Sequence, residues 1–295
     1  MSILFWLAVL PSILLAARVL SYDRIEKEPP RLLIKLFVMG MLTCIPAALI
    51  EAAGEWGITA VGFGPFMTSA LTYLLLVPLA EEGMKLLALR STHRDPNFNY
   101  TFDGIVYSVM VALGFATLEN ILYVFEFQTV ETAVMRGIIS VPMHCVCGIF
   151  MGYFYGVSRG QEARGSAEAA ATADRLTLAV PSIIHGVFDF SLDQESAFVT
   201  MLGLAFTVLV FFVAIHNIKM ASETDQPIMP GFATPAAPPA APPAEPAARP
   251  AVKPVEPLSG KSGAVTDDGK YATVQRKSTN FWVGGGTPPP PFNMQ

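Results

Sequence analysis

The sequence predicts an all-α polytopic membrane protein of about seven transmembrane helices, followed by a disordered Pro/Ala-rich cytoplasmic tail. Three observations carry that prediction. The 295 residues are 52% hydrophobic and only 15% charged, where a soluble domain carries about 25% charged residues. The missing charge is not spread evenly: long apolar runs cover residues 2–217, and almost all of the polar low-complexity sequence follows them. Finally, the basic residues are concentrated in alternate loops.

The apolar runs lie at about 2–20, 33–53, 65–89, 102–125, 137–157, 177–191 and 198–217. A span needs about 20 apolar residues, and six of the runs meet that length. The sixth in order, 177–191, reaches only about 22 Å at 1.5 Å per residue. A short, polar-interrupted segment of this kind suits a position lining a cavity within the protein. The first run has no basic residue before it, and its charges follow the apolar stretch, so it is expected to be a retained helix instead of a cleaved signal peptide.

Orientation follows from Lys and Arg in the loops. One set of loops holds Arg18, Arg24, Lys27, Arg31, Lys35, Arg90, Arg94, Arg159, Arg164 and Arg175. The alternate loops, near 54–64, 126–136 and 192–196, hold Arg136 and the acids Glu55, Glu126, Glu131, Asp193 and Glu195. This asymmetry predicts seven crossings in a cell membrane, with the N-terminus outside and the tail in the cytoplasm. Residues 1–220 form the membrane domain and 221–295 the tail. Proline at the density found in 227–257 builds neither helix nor sheet cores and gives an extended linker. The last stretch, Lys261 to Gln295, which includes Phe281–Gly286 and Pro288–Pro291, offers a short docking peptide for a cytoplasmic partner, with plain disorder the simpler reading. Cys44, Cys145 and Cys147 all fall in apolar runs and are expected to pack as small apolar residues, not as disulfides.

Charged residues inside a membrane segment cost roughly 2.5–3.5 kcal/mol each at the helix centre and mark function by default. Here they are few. Run three carries Glu81, Glu82 and Lys85; run four carries Glu119-Asn120; run five carries His144; run six carries His185 and Asp189. Lys85 stands one turn from both Glu82 and Glu81, so it balances their charge. The two glutamates point about 100° apart around the helix and play different parts. His185 and Asp189, four apart, look the same way. A lone intramembrane His or Asn is usually interhelical glue, worth on the order of 1 kcal/mol, and Asn120 suits that supporting role. The whole set, on four helices of a charge-poor chain, is harder to explain as packing. Straight helices would leave Glu81 and Glu119 at different depths, with Pro78 the residue placed to kink run three.

Two chemistries fit. A carboxylate can act as general base on water, with a His orienting that water and further groups stabilising an oxyanion. Alternatively Glu119, His144 and His185 (or Asp189 in place of His185) bind Zn²⁺ and leave an open position for activated water, although no H-E-x-x-H spacing is present. Intramembrane carboxylates and imidazoles also serve as proton relays in transporters, but the two halves of the chain show no internal repeat of the kind many transporters have. A third class, a non-catalytic scaffold working through its tail, has no need of the polar set.

The order Glu81-Glu82-x-x-Lys85, Phe115-x-x-x-Glu119-Asn120, His144 and His185-x-x-x-Asp189 resembles the PrsW family of intramembrane proteases, within the CAAX-protease and bacteriocin-processing superfamily. Asp103-Gly104-Ile105-Val106-Tyr107 and Gly114-Phe115-Ala116 are similar to the family's lead-in to its second motif, so the resemblance covers about residues 65–190. It implies proteolysis of a single-span membrane protein substrate in or beside the bilayer. The resemblance extends to first cleavage of a membrane-bound anti-sigma factor, with no nucleic-acid partner. It also implies roles: Glu81 as the water-activating base, Glu82 as its partner, and Glu119, His144, His185 and Asp189 completing the catalytic set. In the prenyl-protease branch a His stands at the position of Glu119, and a His and an Asn at those of His185 and Asp189. An ionised Asp189 donates no hydrogen bond to an oxyanion, so the metal and metal-free chemistries both stay open.

Overall fold

The computed structural model describes residues 2–228; the expected tail beyond residue 228, with all but the first two residues of the Pro/Ala-rich stretch and the whole final segment, lies outside the described residues. Among the described residues nine α-helices follow one another: α1 (Ser2–Leu20), α2 (Pro30–Val61), α3 (Pro65–Leu71), α4 (Val77–Arg90), α5 (Asp103–Phe127), α6 (Val130–Met135), α7 (Val141–Ala163), α8 (Ala167–Asp193) and α9 (Ala197–Glu223). Two joints are continuous, so among the described residues they form seven rods: α3 runs into α4 through the π-helical segment Thr72–Leu76, and α6 into α7 through a second, Arg136–Ser140. Six rods are long and apolar enough to cross a membrane; the seventh, Pro65–Arg90, carries the Glu81/Glu82/Lys85 cluster.

The two π segments have the same local cause. Each precedes a proline, Pro78 or Pro142, whose ring would collide with the carbonyl four residues back. That carbonyl belongs to Leu74 or Ile138, both inside the widened turn. The widened turn shifts the hydrogen bond one residue further: the Val77 N–H reaches the Thr72 carbonyl, and the Val141 N–H the Arg136 carbonyl. Such bulges occur often at functional sites. Pro78, the residue expected to kink run three, thus follows on a local widening of the helix.

Helix α5 is the axis of the bundle, buried on all sides from Asp103 to Thr117. It has no polar face because it meets protein all round; α1, α2 and α9 instead turn Leu14, Leu42, Leu49, Met201 and Leu209 outward, as lipid tails require. Close approach of α5 and α7 depends on small residues. A Cβ placed on Gly152 would lie 2.3 Å from the Gly104 carbonyl oxygen, so only glycine lets the two backbones touch there.

The sixth run is longer than its apolar part. The alanine-rich stretch from Ala167 extends α8 well ahead of residue 177, because alanine favours helix without adding much hydropathy. Likewise α2 runs through Gly54–Val61, where a loop was expected, and stops at Gly62 with φ 77°, a left-handed cap glycine adopts freely. Helix α9 continues to Glu223, and the chain beyond it is tied to the bundle. Asp225 Oδ1 accepts from the Phe102 amide at 2.9 Å, and the Ile228 amide donates to the Asn99 carbonyl at 2.7 Å.

The end of the bundle that bears the basic loops also holds buried acids. Burial pushes the Asp23 carboxyl up to about 6 and the Glu28 carboxyl up to about 7, although Glu28 accepts a hydrogen bond from the Tyr107 hydroxyl.

Candidate active site

The polar residues expected from four separate runs meet in one place. The π segment of the third rod ends five residues before Glu81, and α4 then presents Glu81, Glu82 and Lys85 to the interior. Helix α5 contributes Glu119, α7 His144 and α8 His185 and Asp189. Gly186 lets α8 lie against the π segment. A Cβ there would meet the Leu74 backbone at 3.1 Å and the Pro78 ring at 3.2 Å, so His185 is brought up to Glu82 by a close helix contact.

Lys85 is at the centre and wholly buried. Its Nζ donates to Glu82 Oε1 at 2.8 Å, Glu81 Oε2 at 3.0 Å and His144 Nδ1 at 3.0 Å, which uses all three N–H groups. The Phe115 ring lies 4.1 Å from the same nitrogen, within cation–π range. Because Lys85 can only donate, His144 Nδ1 accepts, and the ring proton sits on Nε2. That nitrogen is 2.9 Å from Glu119 Oε2. His144 thus bridges two layers of the site. This resolves the depth mismatch: Glu119 reaches the glutamate pair through the imidazole, with no direct contact needed.

His185 lies edge-on to His144, ring centroids 5.3 Å apart. Its Nδ1 is 2.9 Å from Glu82 Oε1 and its Nε2 3.1 Å from Asp189 Oδ2. A neutral imidazole donates once, so bonding both carboxylates takes one further proton, on the ring or on a carboxyl group. Asp189 therefore orients His185. Asn120 is buried, its Oδ1 accepting from Arg136 Nε at 2.8 Å. Glu82 is inaccessible to solvent, yet its Oε2 has no hydrogen-bond partner.

Sequence reasoning counted Arg136 as a loop charge. In the structure its Nη2 is 2.8 Å from Glu119 Oε2 and its guanidinium 3.8 Å over the Tyr123 ring. The available signal was its position as the lone basic residue of the acidic loops. Phe115 was visible as a motif residue, but spacing gave no hint that its face covers Lys85.

Among the described residues, one ligand atom from each of Glu81, Glu82, His144 and His185 lies within 4.8 Å of the others. Glu119 is not in that group; it faces Arg136 and the far side of His144. Two imidazole nitrogens and two carboxylate oxygens fit a Zn²⁺-type ion, and the orphaned Glu82 Oε2 is an acceptor without a donor. Four carboxylates against Lys85 and Arg136 also leave the cluster net negative while the imidazoles are neutral. The Lys85 ammonium contacts three of the four residues, so an ion would share or displace its contacts.

The bundle of rods and bulges encloses carboxylates, imidazoles and an ammonium, a set that suits a membrane-embedded enzyme site. The comparisons make the class specific. A family model described as PrsW family intramembrane metalloprotease matches residues 28–216. Protease PrsW of Bacillus subtilis (strain 168) is 34% identical over 219 residues, covering 74% of this chain and 94% of that protein. Protease PrsW of Clostridioides difficile (strain 630) is 30% identical over 223 residues, covering 73% and 90%. No solved structure matches. The chain belongs to the PrsW family, and it is an intramembrane peptidase; this separates it from the transporter and scaffold classes.

Proposed function

We propose that this peptidase hydrolyses a peptide bond of a single-span membrane protein, with a membrane-bound anti-sigma factor as the substrate class, using water activated at the Glu81/Glu82 pair. The observation that carries this is the buried Lys85-centred cluster, which joins both glutamates to both histidines. The loop charges support an N-terminus outside the cell membrane and a cytoplasmic tail.

Glu81 is the base. It is the less deeply buried of the two glutamates, and its Oε2 stands 3.8 Å from His185 Nε2 and 3.9 Å from His144 Nδ1. Gaps of that length suit a bridging water. Glu82 holds Lys85 and His185 in place through one oxygen and leaves the other to accept from water or substrate. Glu81 takes the water proton as the hydroxide attacks the peptide carbonyl. Once Glu81 holds that proton its charge no longer ties up Lys85, which frees one Lys85 N–H to donate to the resulting oxyanion, and Glu81 returns its proton to the leaving amine. Glu81, Glu82, His144 and His185 would hold a Zn²⁺ ion, which supplies Lewis-acid polarisation and acidified water when bound.

The test is metal analysis of the purified protein alongside cleavage of a single-span reporter with and without chelator. Cleavage at one bond within or next to the span supports the reading. Substrate flux in proteoliposomes without proteolysis would sink it. Chelator sensitivity with about one ion per chain assigns the metal chemistry, and indifference to chelator assigns the carboxylate chemistry.

A further inference from the structure

Arg136 is the exception to the loop charge pattern, and the structure shows where it goes. It lies six residues into its rod, near enough to an end for its long side chain to reach the polar interface. It turns inward instead. Its side chain is only 18% exposed. Nε donates to Asn120 Oδ1 at 2.8 Å, Nη2 stands 2.8 Å from Glu119 Oε2, and the guanidinium plane covers the Tyr123 ring. Residues 119, 120 and 123 form one face of α5, so the guanidinium grips that face at three points. The Nη2 contact is an ion pair without hydrogen-bond alignment; the aligned bond is the one from Nε.

The same Glu119 oxygen accepts from His144 Nε2. Sharing one carboxylate oxygen between Arg136 and His144 requires both to face the same side of their rod. In a regular α-helix, eight residues overshoot two turns by about 80°. The π segment Arg136–Ser140 takes up one extra residue, turning His144 back by about 100°. The bulge therefore aligns the two side chains on Glu119.

We propose that Arg136 is a positioning residue for the peptidase reaction: it clamps Glu119 so that His144 keeps its proton on Nε2 and its Nδ1 turned to Lys85. This rests on the peptidase reading above. Without the clamp, Glu119 is free to swing toward the bundle surface, His144 loses its Nε2 acceptor, and the ring is free to rotate away from Lys85. Arg136 acts through Glu119 and touches no reacting atom.

Two readouts test it. With a single-span reporter cleaved by the wild type, Arg136→Gln lowers kcat about 10–100-fold, the usual loss for a partner one step behind a reacting group, and leaves KM within about threefold. Arg136→Lys, which keeps the ion pair and loses the Asn120 bond, retains more activity. The double variant Arg136→Gln/Glu119→Gln is no slower than Glu119→Gln alone, as residues acting in series require. The second readout needs no activity: carbethoxylation of His144 by diethyl pyrocarbonate, measured by mass spectrometry, rises in Arg136→Gln and stays near wild type in Arg136→Lys. Additive losses in the double variant, a KM effect with kcat intact, or unchanged His144 labelling would each overturn the proposal. Where Arg136→Gln does not fold, Arg136→Met, which also removes the cation and keeps an unbranched side chain over Tyr123, carries the same comparison. A wild type that cleaves nothing removes the peptidase reading, while the labelling result still decides the clamp.

Discussion

Replacing Lys85 by Met removes the buried cation and keeps most of the side-chain volume. The cost follows from the contacts. Nζ bonds two carboxylates at 2.8 and 3.0 Å and one imidazole at 3.0 Å, with no solvent access. Hydrogen bonds to charged groups contribute about 1.5–3 kcal/mol each, so the two carboxylate bonds amount to about 3–6 kcal/mol. Breaking a buried ion pair by deleting one partner costs about 3–5 kcal/mol by direct comparison. The two figures agree, and the larger part of each is the penalty of leaving Glu81 and Glu82 as uncompensated neighbours. For a body of this size one kcal/mol moves Tm by about 2–4 °C, giving a loss of about 6–20 °C. Thermal unfolding of the detergent-solubilised protein, followed by a fluorescent thiol or aggregation readout, measures it. Lys85→Arg keeps the charge in a wider planar group and falls between Lys85→Met and wild type. A Lys85→Met variant that melts within about 3 °C of wild type would refute the reasoning, since the ammonium would then not be the compensating charge.

Other outcomes follow from particular contacts. Gly186→Val forces a branched side chain into the 3.1–3.2 Å gap against Leu74 and Pro78. It should cost about 1–3 kcal/mol by overpacking and slow cleavage more than Gly83→Ala, whose added Cβ would meet nothing within 4 Å. Gly152→Leu should prevent α5 and α7 from closing and abolish folded protein in a size-exclusion assay. The Asp23 and Glu28 carboxyls have folded values of about 6 and 7 against ordinary values of 3.8 and 4.5. The folded state therefore binds the extra protons. That contribution is full below pH 4 and is lost as pH rises through 7. Tm should fall between pH 5 and pH 8, and Glu28→Gln should flatten that dependence; an unchanged slope in the variant would contradict the assignment.

Much of this was legible in the sequence because a bilayer makes charge expensive. The spans stand out as apolar runs, and the residues that violate them, Glu81, Glu82, Lys85, Glu119, His144, His185 and Asp189, are the ones that meet. Spacing along one helix was readable too: Lys85 does bond both glutamates, and His185 does face Asp189. What lies between helices was not. That His144 is the link from Glu119 to the glutamate pair depends on helix rotation, which the π segments reset and which apolar patterning does not encode. Arg136 was hidden because loop charge is read as topology, and nothing in the local sequence says that its side chain turns back into the bundle. The length of α8 was underestimated because its alanine-rich start is a strong helix former with little hydropathy. Membership of the PrsW family came from four motifs in order, a signal that spacing alone would not have given.

The central claim is that the Lys85-centred glutamate pair is the machinery that cuts a membrane-embedded substrate. Its most direct test is the cleavage rate of a single-span reporter in proteoliposomes by the wild type, Glu81→Gln and Glu82→Gln, each first shown to be folded. The account predicts cleavage by the wild type and loss of at least about a hundredfold in both variants. Wild-type rates in both would contradict it.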